Sequence, residues 1–95
     1  MTNIENVERV LKKMAALLRI GARNDWADAL EKFSSEIAND PSATSASILA
    51  MYGGMGSLND IILYKNGQPL TTENDEFDSL SSELYQLCRE STFKQ

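Results

Sequence analysis

The sequence predicts a mainly α protein, with about four helices around one core and a short β-hairpin near residues 61–71. Over the first 20 residues, apolar side chains recur at intervals of three and four, the periodicity of an amphipathic helix. Gly and Pro then interrupt the chain at helix-length intervals. An Asn66-Gly67 pair follows the apolar run Ile61–Tyr64, as in a type I′ hairpin turn. An all-α helical bundle is the alternative.

The first helix is predicted from Ile4 to Ile20. Gly21 stands where this helix would stop, and Arg19 and Arg23 lie near its negative C-terminal end. The predicted core face consists of Ile4, Val7, Val10, Leu11, Met14, Leu17 and Leu18.

The second helix is predicted from Asp25 to about Ala38, with Asn24 as its N-cap. Asn39-Asp40-Pro41 should then break the chain, because a residue before proline avoids helical geometry. One face of this helix would carry Trp26, Leu30, Phe33 and Ile37.

A short third helix is predicted from about Ser42 or Thr44 to Tyr52, with Gly53-Gly54 ending it. The spacing of the glycines in "YGGMGSLND" argues against a phosphate-binding loop. The third glycine of the dinucleotide fingerprint is missing, and no lysine follows Gly56 as in a Walker loop. We interpret this stretch as a turn, in which Gly56 permits a close approach and Met55 fills the core.

The segment after it allows two interpretations. In the favoured one, Ile61–Tyr64 is a strand that turns at Asn66-Gly67 and returns over residues 68–72. In the other, Ser57 caps a short helix that ends at Gly67.

The last helix is predicted from Asn74, its N-cap, to about Glu90. Asp75, Glu76 and Asp78 would crowd its first turn, where the helix dipole favours carboxylates. Its core face would consist of Phe77, Leu80, Leu84, Leu87 and Cys88.

Length and charge restrict the function. Ninety-five residues make a single domain, residues 1–95, with a net charge of −5. Residues 1–23 carry five basic and two acidic residues, a net +3, whereas residues 24–95 carry four basic and twelve acidic residues, a net −8. This acidity argues against direct nucleic-acid binding and favours a basic protein partner. No apolar run suits a membrane and Met1–Glu8 is unlike a signal peptide, so we expect a cytoplasmic protein without a membrane partner.

The residue types argue against catalysis. The chain has no histidine, the usual general base near neutral pH. Cys88, the single cysteine, lies on a predicted core face and cannot build a zinc site alone. "TENDEFDSL" lacks the glycine of a calcium loop. We therefore expect no enzyme, no cofactor and no metal; an enzyme relying on carboxylates alone would lack the usual acid–base partners.

Residues 52–88, with "GGMGSLNDIILYKNG" and then "ENDEFDSLSSELYQLC", resemble small bacterial domains of unknown function. Some of these occur as immunity proteins of contact-dependent growth inhibition and related polymorphic toxin systems. The resemblance covers roughly the last 40 residues and implies a cytoplasmic protein that binds one toxin domain, often a basic nuclease, and blocks its active site.

The sequence thus leads to the hypothesis of an immunity protein that neutralises a cognate toxin domain through an acidic surface, and we expect this toxin to be a nuclease. The alternative is a non-catalytic cytoplasmic adaptor or regulatory oligomer. The predicted partner-binding residues are Asp60, Glu73, Asp75, Glu76, Asp78 and Glu83.

Overall fold

A computed structural model describes residues 3–52 and 58–93 of the chain. Over these ranges it has four α-helices, one short 3₁₀ turn and a two-stranded antiparallel hairpin, which confirms the predicted mainly α fold with a hairpin. The elements are α1 (Asn3–Ile20), α2 (Asn24–Glu36), α3 (Pro41–Ala50), the 3₁₀ turn (Leu58–Asp60), β1 (Tyr64–Lys65), β2 (Gln68–Pro69) and α4 (Thr71–Phe93).

The core lies along α1, which packs against α2 on one side and α4 on the other, while α4 also packs against α3. The predicted stripe of α1 is buried from Val7 to Leu18, and Ile4 packs at its edge. On α2, Leu30 and Ile37 are buried, whereas Trp26 and Phe33 are half-buried at the margin of the core. The predicted helix faces therefore meet one another in a single apolar core.

α1 ends in a Schellman motif with an unusual residue at its left-handed position. The Arg23 N–H donates to the Leu18 carbonyl (2.8 Å) and the Ala22 N–H to the Arg19 carbonyl (3.1 Å). Ala22 has a φ of +61°, at the position where glycine is usual. Gly21, one residue earlier, serves packing instead, because a Cβ there would lie 2.8 Å from Cδ2 of Leu63.

The predicted N-cap of α2 is wrong. α2 begins at Asn24 itself, and no side chain caps it. The Asn24 Oδ1 instead accepts a hydrogen bond from Nη1 of Arg19 at 3.1 Å. The Arg19 guanidinium therefore binds the oxygen that, in the predicted N-cap, would accept a hydrogen bond from a backbone N–H of α2.

α3 begins slightly earlier than predicted. Asp40 is its N-cap, with Oδ1 accepting from the Ala43 N–H at 3.2 Å, and Pro41 occupies the first turn. α3 ends at Ala50. The predicted helix end at Gly53-Gly54 and the turn through Met55, Gly56 and Ser57 lie outside the described residues.

The hairpin is shorter than predicted but has the expected turn. Tyr64 pairs with Pro69 and Lys65 with Gln68. Asn66 and Gly67 have φ values of +54° and +79°, the pair of positive angles that a type I′ turn requires. The local chemistry of Asn-Gly therefore fixed the turn, while only two residues on each side form the ladder.

The last helix begins at Thr71, so Asn74 is not its N-cap. The Asn74 N–H donates to the Leu70 carbonyl at 2.8 Å, which places this residue inside the first turn. Phe77, Leu80, Leu84 and Cys88 form the buried face, as predicted, and Leu87 packs at its edge. Over the described ranges, no helix combines the length and the apolar character needed to cross a membrane.

Candidate partner-binding surface

The exposed side of α4 carries an acidic face formed by Asp75, Glu76 and Asp78. All three side chains are exposed, but because α4 begins at Thr71 they lie in its second turn and not, as predicted, in the first, so the helix dipole acts on them only weakly. None of them forms an ion pair with another residue of the described chain. Their charge is therefore directed to solvent rather than neutralised within the fold.

The other three predicted acidic residues have different settings. Glu83 forms an ion pair with Arg9 of α1, with Nη2 and Oε2 2.8 Å apart. Glu73 is half-buried in the first turn of α4. Asp60 is exposed at the end of the 3₁₀ turn, which packs against α4. The structure thus places four of the six in the first two turns of α4, whereas Glu83 already has a cationic partner from α1.

Asn74 holds the acidic face beside the hairpin. Its Oδ1 accepts from the Leu63 N–H at 2.7 Å, and its Nδ2 donates to the Leu63 carbonyl at 3.1 Å. This carboxamide therefore pairs with both backbone polar groups of one residue, as a neighbouring strand would. Glu73 and Asp75 flank Asn74 in sequence, so this part of α4 is joined to the segment that leads into the hairpin.

The basic residues at the end of α1 are engaged within the fold. Arg19 donates through Nη2 to Asp28 (2.8 Å) and to Glu31 (2.7 Å), and through Nε to Glu31 (3.3 Å). The hydrogen bonds that Arg19 donates to Glu31 and Asp28 raise the pKa of its guanidinium further above its already high value. Arg23 lies 3.8 Å from Asp25. These cations therefore pair with α2 and leave the acidic face of α4 without a counter-charge from α1.

Within the described residues, Cys88 is a buried titratable group and Tyr52 a half-buried one. Burial raises the pKa of the Cys88 thiol to about 11, although the neighbouring hydroxyl of the buried Ser45 partly offsets the shift. Burial likewise raises the pKa of Tyr52 to about 12. A nucleophilic cysteine needs a lowered pKa and access to substrate, so the environment of Cys88 suits a core residue.

Tyr52 connects α3 to α4. Its hydroxyl donates to the Ser81 carbonyl at 2.7 Å, and its ring meets Tyr85 edge to face, with centroids 5.1 Å apart. Because Ser45 lies against Cys88 and Tyr52 against Ser81, α3 and α4 run antiparallel. The N-terminus of α3 consequently lies at the far end of α4 from the acidic face.

That far end carries a polar depression of about 310 Å³ between α2 and α3. Its lining is rich in oxygen atoms and is formed by Glu36, Asn39, Asp40, Ala43, Thr44 and Ser47. Such a surface can accept hydrogen bonds from amino or guanidinium groups. Within the described residues, no group of three or more carboxylate or thiol side chains is placed to hold a metal ion.

The sequence interpretation missed a set of exposed apolar side chains. Ile20, Ile62 and Tyr64 are 48%, 52% and 49% exposed. The run Ile61–Tyr64 looked uniformly apolar, yet it alternates, with Ile61 and Leu63 buried and the other two outside. In an extended chain, successive side chains point to opposite sides, so alternate residues could have been predicted to be exposed. Because all four residues are apolar, the sequence did not show which two face the core.

Comparison with known protein families shows which family this chain matches. The model of a family described as Domain of unknown function (DUF6966) matches residues 19–71, which is more than half of the chain. The matched segment runs from the end of α1 through the hairpin to the first residue of α4. Searches of the curated proteins and of the solved structures returned no significant match.

Proposed function

The chain belongs to the DUF6966 family, a domain of unknown function, and we propose that it is an immunity protein that neutralises a cognate toxin domain through the acidic face of α4. The observation that carries the proposal is the charge of Asp75, Glu76 and Asp78, which no cation of the described chain neutralises. The resemblance of residues 52–88 to immunity proteins supports it.

The mechanism is competition for the cationic groups of a nuclease. A nuclease binds the phosphate backbone with lysine and arginine side chains. Carboxylates held on a helix can pair with the same side chains and exclude the nucleic acid. A negative face opposite a positive one also accelerates encounter, with association rates that fall as salt rises. Neutralisation then needs no catalysis by the immunity protein.

The proposal places the protein in the cytoplasm, where such a toxin would reach nucleic acid. It assigns no cofactor to the chain and no direct contact with nucleic acid or membrane. The partner is a basic protein domain, and one copy of the chain blocks one toxin domain.

Protection of growth tests this function. The toxin domain encoded next to this gene would be expressed from an inducible promoter, with the chain expressed from a second plasmid. Wild-type chain should restore growth, whereas the variant Asp75→Lys/Glu76→Lys/Asp78→Lys should restore it poorly. A neighbouring gene without toxicity, or full protection by the triple variant, would contradict the proposal. A cytoplasmic complex without a toxin would favour the adaptor.

A further inference from the structure

Three large apolar side chains lie exposed at one end of the molecule. Ile20, Ile62 and Tyr64 are each about half exposed, and Tyr85, at 36%, is the other large apolar side chain that is exposed within the described ranges. Isolated apolar side chains are normal on protein surfaces. A group of them on adjoining segments is instead typical of an interaction site.

Contacts in the fold bring these three residues together. Gly21 adjoins Leu63 so closely that an added Cβ would lie 3.4 Å from the Leu63 Cα. Ile20 precedes Gly21, and the exposed Ile62 and Tyr64 flank the buried Leu63 in the segment that leads into the hairpin. The exposed apolar residues at the end of α1 and at the start of the hairpin are therefore sequence neighbours of Gly21 and Leu63, which contact each other. We call Ile20, Ile62 and Tyr64 the hairpin-end patch.

The hairpin-end patch has an acidic border. Leu63 also binds Asn74, which lies between Glu73 and Asp75. Asp60 precedes the segment that leads into the hairpin and is exposed. Carboxylates from two elements thus lie near the apolar centre, together with the exposed Lys65 that follows Tyr64 in the hairpin. An apolar core with a polar rim is the usual arrangement of a protein interface.

We propose that the hairpin-end patch is the anchoring centre of the interface, and that its occupant is a basic protein domain that inserts apolar side chains between lysine or arginine residues. The identification of that domain as a toxin rests on the proposed function. The acidic border argues for this occupant, because its charge complements a basic surface. A second copy of this chain, with a net charge of −5, would bring like charges together.

The two parts of the surface have separate roles in this interface. The acidic face of α4 accelerates encounter and sets the salt dependence. The hairpin-end patch supplies the apolar burial that slows dissociation, with Tyr64 as an aromatic anchor of the kind that dominates interface energetics. Loss of the acidic face should therefore mainly lower the association rate, and loss of the patch should mainly raise the dissociation rate.

Photo-crosslinking in cells of the source organism tests the occupant. The residue p-benzoylphenylalanine would replace Tyr64, Asp78 or, as a control, Ala46 on the exposed side of α3. We expect the Tyr64 and Asp78 positions to crosslink the same basic protein and the Ala46 position to crosslink none. A crosslinked dimer of this chain, or an acidic partner, at position 64 would overturn the proposal.

The same experiment separates this inference from the proposed function. A basic partner captured at Asp78 but not at Tyr64 would leave the acidic-face function standing and overturn the patch. A basic partner captured at Tyr64 that is not toxic when expressed alone would support the patch and overturn the immunity function. Capture at none of the positions would overturn both.

Binding measurements with the captured domain complete the test. Ile62→Ser/Tyr64→Ser should weaken binding by about 100-fold or more, mainly through faster dissociation, as expected for two anchor residues. Tyr85→Ser, which removes another partly exposed tyrosine, is the control and should change binding less than about threefold. Thermal unfolding of each variant verifies that it is folded. Equal binding by a folded Ile62→Ser/Tyr64→Ser variant would overturn the proposal.

Discussion

The Asn74 carboxamide and the Leu63 backbone form two hydrogen bonds, of 2.7 and 3.1 Å, that join α4 to the residue immediately before β1. The Leu63 carbonyl also accepts from the Leu70 N–H at 2.9 Å, and its side chain is fully buried beside Gly21. One residue therefore meets the end of α1, the return of the hairpin and the first turn of α4. The position of the candidate interface depends on this junction.

Replacement of Asn74 by alanine should lower the free energy of unfolding by about 1–3 kcal/mol, because the Leu63 N–H loses its acceptor within the fold. Urea denaturation followed by circular dichroism measures the change. Asn39→Ala, at an exposed asparagine, is the matched control and should cost less than about 0.5 kcal/mol. Equal costs for the two variants would show that the Asn74 bonds contribute nothing to stability.

Gly21→Ala should destabilise the fold by about 1–3 kcal/mol through overpacking. The new Cβ would lie 2.8 Å from Cδ2 and 3.1 Å from Cβ of Leu63, so rotation of the Leu63 side chain alone cannot relieve both contacts. Thermal unfolding measures the loss. An unchanged or higher melting temperature would mean that the end of α1 can move away from the hairpin without cost.

Ala22→Gly, one residue further on, should have the opposite sign and stabilise the fold by about 0.5 kcal/mol. Glycine removes the strain of a left-handed alanine, and the greater freedom of glycine in the unfolded chain offsets part of the gain. Both variants would be measured in the same buffer. Stabilisation by Gly21→Ala together with destabilisation by Ala22→Gly would contradict the assigned roles of the two positions.

These two positions show why the sequence predicted the end of α1 but not its geometry. A glycine after an apolar stripe indicates a helix end, and α1 does end there. The sequence could not show that Gly21 is required by Leu63, 42 positions later, since that contact is tertiary. Asn74 and Asn24 failed as predicted caps for the same reason, because Leu63 and Arg19 use their side chains. Asn66-Gly67 succeeded because a type I′ turn is fixed locally.

Stability should fall at alkaline pH because the buried Cys88 and the half-buried Tyr52 keep their protons in the folded state. The pKa of Cys88 rises on folding from 9.0 to about 11, and that of Tyr52 from 10.0 to about 12. The folded chain therefore binds more protons than the unfolded chain above about pH 9, and the free energy of unfolding falls as pH rises. Below the unfolded pKa values both contributions are fully present.

Urea denaturation between pH 7 and pH 11 checks this prediction, with Cys88→Ala as the comparison. Above pH 9, Cys88 should lower the free energy of unfolding of the wild-type chain by at most about 1.4 kcal/mol per pH unit. The Cys88→Ala variant lacks this group, so its free energy of unfolding should decline less steeply with pH. The thiol of the native wild-type chain should also resist a thiol-specific reagent at pH 8 until urea is added. A rapid reaction in native buffer would contradict the buried environment of Cys88.

The candidate interface was predicted in part. The acidic character of α4 was evident from the sequence, and Asp75, Glu76 and Asp78 share its exposed side. The pairing of Glu83 with Arg9 was not predictable, because it depends on how α1 packs along α4. The hairpin-end patch was also missed, since the burial of Leu63 and the exposure of Tyr64 follow from strand alternation that an all-apolar run does not reveal.

The most direct test of the binding proposal is a pull-down from lysate of the source organism with three baits in parallel. The baits are the wild-type chain, the acidic-face variant Asp75→Lys/Glu76→Lys/Asp78→Lys, and the matched variant Glu8→Lys/Glu36→Lys/Glu90→Lys, which changes charge equally on other surfaces. Mass spectrometry would identify proteins retained at moderate salt. We predict one stoichiometric basic toxin domain on the wild-type and matched baits, and its loss from the acidic-face variant. Equal retention on all three baits, or recovery of the bait alone, would contradict the account.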